Sequence, residues 1–131
     1  MDQTACKPAA FEPATLDCDY ILTHAGGDPD LLLRLCVGLL DEMPHRTAAV
    51  EAALRKGSGI ERAVQQLRNS LEILGPGRHC YTVETLALAI RDGRSRVVRS
   101  EWRRLKRELA ELVPELQRLI LEVSSPRSPV Q

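Results

Sequence analysis

Apolar residues return every third or fourth position over most of the chain, the repeat of one buried face of an α-helix. Leu32, Leu33, Cys36, Leu39, Leu40, Val50, Ala53 and Leu54 keep that spacing and predict a helix over 29–56. Ile60, Val64, Leu67, Leu71 and Leu74 form one stripe in a helix over 60–74. His79, Val83, Leu86 and Ile90 share one side of a helix over 79–92. Trp102, Leu105, Leu109, Leu112, Leu116 and Leu119 mark the longest helix, over 95–122. A shorter helix is expected over 15–24, and no segment shows the alternation of a strand pair.

The residues between these stripes supply starts and stops. In "GGDPD", Asp28 is placed to cap a helix N-terminus, with Pro29 in the first turn and Asp30 facing the positive helix end. Pro44 removes a backbone donor, so a kink or break is expected between Asp41 and Pro44; Pro114 predicts a bend in the last helix. Gly57 closes one helix, and "SGIE" predicts a capping box of Ser58 with Glu61 for the next. "GPG" at 75–77 and Gly93 are further stops. Residues 1–13 are expected to form a loose arm, 14–123 the folded unit, and 124–131 ("SSPRSPVQ") a tail. Four long amphipathic helices with short connections bury their stripes only against one another. The predicted fold is therefore an all-α antiparallel four-helix bundle with a short additional N-terminal helix.

Composition agrees with this picture. Aromatics are 3% of the 131 residues, so the core must be built from Leu, Val, Ile and Ala, which suits helices in one modest domain. Basic and acidic residues balance at 18 each, and no overall charge points to nucleic acid or to a membrane surface. Locally the balance breaks. Residues 91–107 hold eight bases, from Arg91 to Arg107, against Asp92 and Glu101, a pattern expected of a solvated helix face. The four cysteines are widely spaced without a CxxC pair and are expected to be reduced thiols of a cytoplasmic protein. There is no basic-then-apolar start and no apolar run of membrane-spanning length. No phosphate loop, paired catalytic carboxylates or metal-ligand spacing occurs, so no cofactor and no metal are expected.

One stretch stands apart, "AVQQLRNSLEILG" at 63–75. At about 100° per residue, with the apolar stripe at zero, Arg68 lies near ~80°, Glu72 near ~120°, Gln65 near ~140° and Asn69 near ~180°. Gln65 and Asn69 are neighbours at i, i+4, and Arg68 sits beside them. On residue chemistry alone such a face is as a rule simply solvated, and a docking face is the alternative.

The same stretch resembles the signature of the histidine-containing phosphotransfer (HPt) domains of two-component phosphorelays, Ala-His-x-Leu-Lys-Gly-Ser followed after three residues by Leu-Gly. Leu67, Ser70, Leu74 and Gly75 match, and Arg68 stands for the lysine. "HAGGDPDLLLRLCVGLLDEMP" is similar to that family's approach to its first long helix, and no gap is needed from Ala63 to Gly93. The likeness covers about 15–121. It implies a four-helix module that docks a response-regulator receiver domain or a hybrid histidine kinase. At the position of the phosphoaccepting histidine, however, stands Gln65; Asn69 replaces the family's glycine and Ala87 an acidic residue. An imidazole nitrogen attacks an aspartyl phosphate, whereas a carboxamide only offers hydrogen bonds. The resemblance thus implies binding without catalysis, through Gln65, Arg68 and Asn69, with Glu72 and Ile73 at the edge of the patch.

Two alternatives stay open. A relocated histidine would restore phosphotransfer, with His45 the candidate, since His79 lies on an apolar face and His24 belongs to the short first helix. Otherwise the chain is a helical interaction module unrelated to phosphorelay, using its basic 91–107 segment. Neither Cys36, in a buried stripe, nor Cys80 has the histidine partner a thiol enzyme needs.

Overall fold

The computed structural model describes residues 16–124, and these are all-helical, with no strand among the described residues. Five helices occur: α1 (Cys18–His24), α2 (Pro29–Lys56), α3 (Ile60–Leu71), α4 (Arg78–Arg91) and α5 (Ser95–Ser124), with a 3-10 turn at Glu72–Leu74 extending α3. α2 packs on α3 and α5, and α4 packs on α3 and α5, while α1 lies against α2 and the 3-10 turn. The expected arm at 1–13 lies outside the described residues. The expected tail loses its first residue to α5, where the Ser124 hydroxyl donates to the Ile120 carbonyl at 2.7 Å.

Most boundaries follow their local chemistry. Asp28 Oδ1 accepts from the Asp30 amide at 3.0 Å at the start of α2. α1 begins at Cys18 rather than at 15, because Asp17 caps it by accepting from the Tyr20 amide at 3.0 Å. The capping box does not form. Gly59, not Ser58, is the N-cap of α3, with φ of 74°, and no side chain caps that end. The tight reversal from α2 needs a left-handed residue directly before Ile60, which glycine supplies without strain, and this leaves Ser58 one position too early to reach the orphan amides.

Neither proline breaks its helix. α2 runs unbroken through Pro44 and α5 through Pro114. Both prolines are exposed, and buried residues lie on each flank, Leu39, Met43 and Val50 around the first and Leu112 and Leu116 around the second, so packing keeps each helix continuous.

Each expected stripe enters one continuous core, except that Leu33 of the α2 stripe is half-buried outside it. Leu67, Leu105 and Leu116 are fully buried, as are Ile21 and Cys36. The buried polar residues among those described are His79, Thr82 and Glu108. Thr82 donates to the Arg78 carbonyl at 3.1 Å, which satisfies its hydroxyl within its own helix. Across the α2–α5 contact, Lys106 Nζ donates to Glu51 at 2.6 Å and lies 5.9 Å from the centroid of the buried Trp102 ring. That hydrogen bond holds the Glu51 carboxyl below its ordinary range. The remaining bases of 91–107 are exposed, as expected of a solvated face.

Candidate functional site

Helical geometry puts Gln65 and Asn69 on the side of α3 opposite Val64, Leu67 and Leu71, and both are exposed while those three are buried. Gln65 Nε2 donates to Asn69 Oδ1 at 3.0 Å, so the two side chains form one polar plate. Arg68, one step round the helix, is partly exposed and ion-paired with Glu84 of α4. Glu72 is exposed on the 3-10 turn, and Ile73 is half-buried, packed against the core. Four of the five expected contact residues therefore reach solvent, and Ile73 offers only its edge.

The opposite flank of α3 is fastened to α2. Ser70 Oγ donates to Glu42 Oε1 at 2.8 Å, Arg46 Nε donates to Ser70 Oγ at 3.3 Å, and Arg46 Nη1 donates to Gln66 Oε1 at 3.4 Å. With the Arg68–Glu84 pair on the other side, α3 is held by polar contacts to both neighbours as well as by its core stripe. The Gln65–Asn69 plate consequently sits on a rigid support.

Two concavities adjoin Arg68. One, of about 280 Å³, is walled by Tyr20, Leu71, Gly75, His79, Val83 and Glu84 among others. The Tyr20 ring closes over Gly75, where a Cβ would come within 2.6 Å of it. Only glycine fits beneath that ring, and its φ of 76° adds a second reason for it. The other, of about 380 Å³, runs between α3 and α4 beside Gln65 and is lined by Arg62, Arg68 and Arg91 together with Val64, Ala87 and Ile90.

The remaining candidate nucleophiles lie elsewhere. His45 is exposed on α2. His24 stacks on Tyr20, the ring centroids 6.2 Å apart. His79 is buried as its apolar-face position implied, and desolvation pushes its pKa down to about 4, opposed in part by a hydrogen bond with the Gly75 backbone. Cys36 is buried, and that burial pushes its thiol up, away from the reactive thiolate. Cys18 is exposed and free; its thiol is also raised, first by partial burial and then by Glu122. Cys80 departs from the expectation of reduced thiols, being disulfide-bonded. Among the described residues no three His, Cys, Asp or Glu side chains gather as metal ligands, and no helix there is long and apolar enough to cross a membrane.

Sequence reasoning missed Glu84, Arg62 and Arg91 as members of this surface. Their contribution depends on how α4 is set against α3, which no single-helix pattern carries. No family model, curated protein or solved structure matches the chain.

Proposed function

We propose that the chain is a non-catalytic, HPt-like four-helix bundle that docks a response-regulator receiver domain, free or within a hybrid histidine kinase, on the outer face of α3. It holds that partner without accepting its phosphate. The observation that carries the reading is Gln65, exposed at the middle of a rigid polar face and hydrogen-bonded to Asn69 at the position where an HPt domain presents its histidine. A carboxamide there keeps the hydrogen-bonding surface and removes the nucleophile. The circuit of contacts from α2 to α3, α3 to α4, α4 to α5 and back to α2 supports the bundle.

Radiolabelled receiver phosphate separates binding from transfer. The expected result is a complex with a receiver of the source organism and no stable label on this chain. Label that persists in the wild type and disappears in His45→Ala would replace the proposal with a working relay through His45. In the double variant Gln65→His with Asn69→Gly, some acid-labile label is expected, since an imidazole then occupies the centre of the same surface with room for a partner beside it. Gly inside a helix costs roughly 1 kcal/mol, which the fold should tolerate.

A further inference from the structure

We propose that the groove between α3 and α4 receives an acidic side chain of the docked partner, which takes Arg68 from Glu84 and is held by Arg62 and Arg91. This deepens the receiver-docking reading and rests on it. Three arginines, Arg62, Arg68 and Arg91, line a single concavity of about 380 Å³ beside Gln65, against one carboxylate residue, Glu61. Arg62 and Arg91 are exposed and have no ion-pair partner among the described residues. Between them Val64, Ala87 and Ile90 provide an apolar floor. That combination fits the methylene and carboxylate of an aspartate or glutamate side chain: the fork of an arginine matches a carboxylate in two hydrogen bonds, and the floor takes the carbon stem.

Arg68 is in a different state from the other two. It is already paired with Glu84, and the side chains of that pair are 38% and 44% exposed, so water reaches both and exchange of one carboxylate for another is open. Glu84 is then an internal competitor for the same guanidinium. A partner carboxylate entering the groove gains two unpaired arginines for the one ion pair it displaces, while Glu84, on the rim of the neighbouring concavity, returns to solvent. Singly, exposed ion pairs contribute little; three in one concavity that a partner covers are screened less by water and salt.

The test uses the full chain and the purified receiver domains of the source organism, each in its resting and its beryllofluoride-activated form. For a receiver that binds, Arg62→Glu with Arg91→Glu is expected to weaken the complex by about tenfold or more, and added salt to narrow the gap between wild type and variant. Glu84→Gln is expected to tighten it by roughly threefold, because Arg68 is released before docking. Circular dichroism of each variant checks that the fold is kept, which exposure of all three side chains favours. A receiver that binds wild type and charge-reversed chain equally well overturns the groove and leaves the docking reading standing. Weaker binding in Glu84→Gln overturns the exchange at Arg68. If no receiver binds the wild-type chain, the docking reading falls, and the groove's role with it.

Discussion

Between pH 6.5 and about 4 the fold is expected to lose on the order of 3 kcal/mol through His79 alone. The side chain is 6% exposed, and burial holds its pKa at about 4 against an ordinary 6.5. Above 6.5 neither the folded nor the unfolded chain protonates this imidazole, and its ionisation adds no pH dependence. As the pH drops through that value the unfolded chain takes up a proton that the folded one refuses, so stability rises with pH across the window and is lost as pH falls. The gap between 6.5 and about 4, at roughly 1.4 kcal/mol per pH unit, gives the stated loss. Carboxylates titrate in the lower part of the same range, so the informative quantity is a difference. Urea midpoints of wild type and His79→Leu, followed across the window, should diverge by about that amount, the variant having the flatter acid limb. Parallel curves would mean that the buried ring reaches a counter-charge or water when it protonates.

Leu67→Ala should destabilise the chain by about 3 kcal/mol, and Gln65→Ala, two positions away on the same helix, by less than about 0.5 kcal/mol. Leu67 is 0% exposed at the centre of the α3 stripe, so truncation removes its burial and leaves a cavity that rigid neighbours fill only in part. Gln65 loses one hydrogen bond that water replaces, and alanine is the better helix former. Denaturant unfolding at matched m-values reads both. A comparable loss from Gln65→Ala would mean that the polar plate holds the helix together rather than serving as a surface, and the docking reading would lose its footing.

How much of this was legible in the sequence depends on the range of the interaction. Val64, Leu67, Leu71 and Leu74 were placed inside by their spacing alone, and all four are buried, because a 3.6-residue repeat leaves a helix one way to hide its stripe. Asp28 was readable as a cap for the same reason: donor and acceptor are two residues apart. Ser58 failed as a cap because the conformation of Gly59, imposed by the reversal between α2 and α3, decides where the helix begins. Pro44 does not break α2, because packing on both sides outweighs one missing amide. At the candidate site, Gln65 and Asn69 could be put on one outer face from angles. The Arg68–Glu84 pair and the Ser70–Glu42 hydrogen bond could not: each joins two helices, and their facing follows from interhelical packing that periodicity does not encode.

The Lys106–Trp102 contact on α5 has a practical consequence. Trp102 is the one tryptophan of the chain, 4% exposed, with the Lys106 ammonium bridging from its ring to Glu51 of α2. Its indole fluorescence therefore watches a single place, the seam where the last long helix meets the first. While that seam is closed the emission should be that of an apolar surround, and opening it should shift the band to the red as water arrives. Changes at Arg62, Glu84 or Arg91 should leave the band where it is, so any movement of it in those variants marks a disturbed fold rather than an altered surface.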